Sequence, residues 1–95
     1  MYIVLLRFAH NKSKAGEFMS AHNAWIKRGF DEGIFLMVGS LQPRLGGALV
    51  AHDTTRAELE ARILEDPFVV HDVVKPEVLE LTPSKADARL GFLLA

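Results

Sequence analysis

The chain begins MYIVLLRF, a run with no polar alternation. Successive side chains of a strand point to opposite faces, so Tyr2, Val4, Leu6 and Phe8 share one face and Met1, Ile3 and Leu5 the other. Both faces are apolar, which predicts a strand covered on both sides. Residues 34–41 (IFLMVGSL) read the same way, strict alternation grouping Ile34, Leu36 and Val38 against Phe35 and Met37. Any fold for this sequence has to supply two covering layers.

Polar residues 11–14 end the first strand, and from about Ser13 to Glu32 the apolar period becomes helical. Phe18, His22, Trp25, Ile26, Gly29 and Phe30 fall on one stripe, and Glu17, Ser20, Asn23, Lys27, Arg28 and Asp31 lie mostly opposite. Gly33 is a natural stop for this helix. A Pro/Gly turn at 42–46 joins the second strand to a third, GALVAH at 47–52, as an antiparallel hairpin. Thr55 and Glu58 have the capping-box spacing and open a second helix with Leu59 and Ile63 inside. Pro67 predicts that this helix ends near Glu65. Residues 68–72 predict a short turn, and 73–81 a last strand that Pro76 confines to an edge or a bulge. Residues 84–95 are too apolar at Leu90 and Phe92 to Leu94 for a free tail, and are expected to dock on the domain formed by 1–83 or on a neighbour.

The order β-α-β-β-α-β is the ferredoxin-like α+β plan, a four-stranded antiparallel sheet with both helices on one face. Two helices cover one side, and a soluble monomer rarely leaves a large apolar face in water. A second copy, sheet against sheet, is the simplest cover, so a homodimer is expected, with the tail available to build a higher oligomer. A hydrophobic fraction of 49% in 95 residues leaves apolar surface for such an interface.

The same composition excludes several function classes. Eleven basic and 12 acidic residues give a net charge of −1 with no cluster of one sign, which disfavours nucleic acid and anionic membranes. The third strand also lacks the aromatics that would stack bases. The absence of cysteine removes disulfides, thiolate nucleophiles and Cys-based metal sites. His10, His52 and His71 show no metal-ligand spacing, and no glycine-rich phosphate loop or nucleophile elbow occurs, so neither metal nor cofactor is expected. The opening run does not read as a signal peptide and no apolar run approaches a membrane span, which makes the cytoplasm the expected location.

Two residues stand out chemically. His22 lies mid-stripe between Phe18 and Ile26, so its imidazole faces the sheet, where it would serve either as a packed core residue or as a general acid or base. Asp66 is expected at the C-terminal end of the second helix, where a carboxylate opposes the dipole and calls for a partner such as histidine; the Asp-Pro step alone also signals an ordinary turn. Gly39 and Ser40 end the second strand where a ligand or backbone could come close. Arg44 reads as an exposed turn residue with the capacity to bind a carboxylate.

A helical His followed by Trp25-Ile26, then EGIFLMVGSL, then AELEARILEDPFVVHDVV resembles the YciI-like (YCII-related) family over most of residues 1–83. The resemblance implies a dimeric α+β barrel and a catalytic His-Asp pair, His22 and Asp66 by motif position. One branch of that family resembles a cofactor-free dehydrochlorinase of a chlorinated hydroxyquinol, and most of its members have no assigned reaction. The chain departs from the pattern at Met19, where the family often carries Arg, and at Gly39-Ser40, usually Gly-Pro. The expected pocket lies between helix and sheet, lined by Phe18, Trp25, Met37, Gly39, Ser40 and Phe68. The competing expectation is a non-catalytic module that binds a small ligand or only dimerises.

Overall fold

A strand apolar on both faces belongs in the middle of a sheet, and β1 (Tyr2–Phe8) is central in the computed structural model, which describes residues 1–94. The order is β1, α1 (Ala15–Asp31), β2 (Phe35–Leu41), β3 (Gly46–Ala51), α2 (Arg56–Ile63), α3 (Pro67–Val70) and β4 (Val74–Glu80). A 3-10 turn, Lys12–Lys14, leads into α1. The four strands are antiparallel in the order β2-β3-β1-β4. This is the ferredoxin-like α+β fold, with the Pro76 strand at an edge. Among the described residues, no helix is long and apolar enough to cross a membrane.

Register assigns the two faces. Val38, Leu49, Val4 and Val78 form one cross-strand row facing the helices, and Leu49 and Val4 are buried there with Trp25, Leu59 and Phe68. Met37, Val50, Ile3 and Leu79 form the adjacent row on the opposite face, one apolar residue from every strand. Among the described residues no helix covers that row, and Met37 is 61% exposed.

The alternation expected for the second strand does not hold. A β-bulge between Phe35 and Met37 inserts Leu36 and shifts the phase. Phe35 therefore faces the helices, buried in a T-shaped contact with Trp25, ring centroids 5.1 Å apart, and shares that face with Val38.

The helices end where the chemistry of the chain dictates. Gly33, at φ 75, closes α1 as a Schellman motif: its N–H reaches the Phe30 carbonyl, and Ile34 N–H reaches that of Gly29. Thr55 and Glu58 complete the capping box of α2. Thr55→Ala is expected to cost about 1 kcal/mol, read from urea unfolding. Trp25 Nε1 donates to the Arg62 carbonyl at 2.9 Å, tying α1 to the last turn of α2. The segment expected to be a turn after Pro67 is the single helical turn α3.

The tail forms a 3-10 segment, Ala88–Leu94, broken at Leu90. Phe92 meets His52 edge-on at 5.6 Å, while Leu90, Phe92 and Leu94 remain about half exposed. Hydrogen bonds from the Arg89 side chain and backbone hold the Asp87 carboxyl below its ordinary range.

Candidate active site

The helical stripe points His22 at the sheet, and the Asp66-Pro67-Phe68 turn comes up to meet it. His22 Nδ1 and Asp66 Oδ1 lie 2.7 Å apart. The Phe68 backbone N–H also donates to Oδ1, at 3.0 Å. A carboxylate offers acceptors alone, so His22 donates from Nδ1, and Nε2 is left as the nitrogen free to take a proton. The Phe68 ring lies flat on the imidazole, with centroids 3.8 Å apart and planes 5° from parallel. One three-residue turn thus supplies both the acceptor that sets the tautomer and the platform that sets the ring plane.

Asp66 is fully buried, and its Oδ2 has no hydrogen-bond partner among the described residues. Its place in the helix scheme differs from the expectation. α2 ends at Ile63, and Asp66 is the N-cap of α3 with Pro67 at the first helical position. The carboxylate therefore sits at the favourable end of a dipole, and its side chain satisfies the Phe68 amide.

His22 borders a cavity of about 270 Å³. Met19, Asn23 and Ile26 line it from α1, Leu6, Phe8 and Val74 from the sheet, and Phe68 from α3. Val38, Gly39 and Ser40 close it along β2. Its space has a simple origin. The inner row runs Ser40, Gly47, Leu6, Pro76, so glycine leaves a gap between two side chains on the face toward the helices.

Of the expected lining, Gly39, Ser40 and Phe68 are on this cavity. Met37 is not: the bulge turns it to the opposite face of the sheet. Trp25 is fully packed one turn on, its ring centroid 5.9 Å from that of His22, and it borders a different, charged cleft between α1 and α2. Phe18 stacks on His71 at 3.9 Å and takes no part in the lining. Sequence reasoning missed Val38, Asn23, Met19 and Gly47. Met19 and Ile26 stand at i−3 and i+4 from His22, a spacing that identifies helical neighbours, whereas Asn23 at i+1 falls outside it. Gly47 had no such signal, because its effect depends on its pairing register. Among the described residues, no group of three or more His, Cys, Asp or Glu side chains is arranged to hold a metal.

No protein-family model matches the chain, and no curated protein matches it in sequence. Among solved structures, it is similar to 5-chloro-2-hydroxyhydroquinone dehydrochlorinase (TftG) from Burkholderia phenoliruptrix AC1100, in complex with 2,5-dihydroxybenzoquinone. The TM-score is 0.69 with 14% identity, over 85% of this chain and 93% of that one. At that identity the likeness is one of fold, and it places the chain with the ferredoxin-like α+β structures.

Proposed function

We propose that the chain is a YciI-like protein, working as a cytoplasmic homodimer, in which the His22–Asp66 pair transfers a proton on a small aromatic or lactone-like molecule without a cofactor. The observation that carries this reading is the 2.7 Å contact between His22 Nδ1 and a fully buried Asp66, on the wall of a cavity of ligand size. His22 Nε2 takes a proton from an acidic C–H or O–H of the bound molecule. The resulting imidazolium keeps its Nδ1–H on Asp66, which balances its charge, and Nε2 then returns the proton to another atom of the same molecule or to water. The likeness of fold to a dehydrochlorinase bound to a quinone supports a small, ring-shaped substrate.

Deuterium incorporation tests the reading whatever the product of the reaction. A panel of hydroxyquinols and unsaturated lactones in D2O is expected to include at least one compound whose exchange the protein accelerates. His22→Ala and Asp66→Asn are expected to slow that exchange by about 10²–10⁴-fold. Imidazole nitrogen shifts are expected to show the neutral form of His22 as the Nδ1–H tautomer, and to lose that preference in Asp66→Ala. The alternative, a non-catalytic ligand-binding or dimerisation module, is favoured by one observation: Asp66 also caps α3. A panel in which no compound exchanges faster with the wild type than with His22→Ala would decide for that alternative.

A further inference from the structure

Phe8, Ser40 and Gly46 each border two spaces. One is the His22 cavity, and the other is an outer cleft completed by Lys12, Gln42 and Arg44. The shared residues make the two spaces neighbours, and a depression running through both would be apolar at its inner end and cationic at its outer end. Among the described residues, no aspartate or glutamate lines either part.

Neither cation is held by a carboxylate of the chain, a condition shared by most of the eleven basic residues among the described residues. Lys27, Arg56, Arg62 and Arg89 each hold a carboxylate at 2.6–3.0 Å, whereas Lys12 and Arg44 form no ion pair among the described residues. The Lys12 ammonium stands 4.8 Å over the ring of Phe8, one of the shared walls. Arg44 adopts φ 54, a conformation that costs a residue other than glycine or asparagine, yet the turn carries a guanidinium there.

We propose that this depression binds a small aromatic carboxylate, with the ring in the His22 cavity and the carboxylate held by Lys12 and Arg44. The proposal rests on the reading of the His22 cavity as a ligand site and assigns its ligand a charge. Arginine offers a carboxylate a planar two-pronged donor and lysine a mobile point charge. Met19, Ile26, Leu6 and Phe68 around the inner end suit the ring.

Benzoate and its neutral counterpart benzamide test the assignment on the full chain, followed by the amide signals of Gly39, Gly46 and Gly47. Benzoate is expected to bind roughly tenfold or more tighter than benzamide. The Lys12→Gln/Arg44→Gln variant, altered at two exposed side chains, is expected to bring benzoate down to the benzamide level and leave benzamide unchanged. Raising the salt is expected to weaken benzoate alone, since the cations are exposed. Equal affinities in the wild type, a preference that survives in the double variant, or no shift at these glycines with either compound would overturn the proposal. The two readings fail separately. Benzoate selectivity without deuterium exchange removes proton transfer and keeps the anion site, and exchange with equal affinities does the reverse.

Discussion

Val50→Lys is expected to leave the chain folded and to convert it from dimer to monomer, while Val4→Lys is expected to unfold it. The two residues lie on neighbouring strands but face opposite ways. Val4 is fully buried between sheet and helices. A lysine there places an ammonium with no partner in the core, at several kcal/mol, against a total stability of about 5–15 kcal/mol for a domain. Val50 belongs to the row Met37, Val50, Ile3, Leu79, which no helix covers among the described residues. Its lysine meets solvent in a monomer but confronts an apolar surface, and its own two-fold copy, in a sheet-to-sheet pair. Light scattering over a concentration series is expected to give twice the chain mass for the wild type and the chain mass for Val50→Lys. Circular dichroism is expected to stay native for Val50→Lys and to be lost for Val4→Lys. A wild type that is monomeric throughout would remove the dimer from the proposed function.

One glycine-to-alanine change made at two places in α1 is expected to give opposite signs. At Gly29 a Cβ would stand 2.1 Å from the Phe35 ring, a contact no real structure tolerates. The ring has little room to yield, since Trp25 and Phe30 pack T-shaped with it, their ring centroids 5.1 and 6.2 Å away. Overpacking of this kind costs about 1–3 kcal/mol or more, and the helix gains at most about 1 kcal/mol from the alanine. Gly29→Ala is therefore expected to lose about 2 kcal/mol, close to 10 °C in Tm for a chain of this size. At Gly16 nothing lies within 4 Å of the added methyl, and Gly16→Ala is expected to gain up to about 1 kcal/mol. Urea unfolding of both variants measures the pair. A Gly29→Ala variant as stable as the wild type would mean that α1 does not approach β2 as closely as this contact requires.

The unequal legibility of the chain follows from which features are periodic. β1 announces a central strand, since every one of its residues from Tyr2 to Leu6 is apolar, and the His22 stripe of α1 points a histidine at the sheet. Both signals repeat over many residues, so no single exception hides them. The Thr55-Glu58 cap is legible for a different reason, because a hydrogen-bonding motif that spans four residues is local. What the sequence conceals is single-residue and non-local. The bulge at Leu36 adds one residue to a ladder and reverses the facing of Met37. Gly47 makes room for the cavity because of what stands opposite it on two other strands. Asp66 follows one helix so closely that its sequence position suggests the end of that helix, when it is the cap of the next, a difference of geometry that composition does not carry.

The bulge also limits how this chain can be aligned. With 14% identity to its structural neighbour, residues will be matched by hydrophobic pattern more than by type. An ungapped match through β2 against a strand without the extra residue keeps the correct frame on one side of Leu36 and slips by one on the other. Each slipped position then exchanges an inward residue for an outward one, Phe35 for Leu36 before the bulge or Val38 for Met37 after it. Equivalences carried over from a relative therefore have to be anchored twice, once at Phe35 and again at Gly39-Ser40, with the gap left between them.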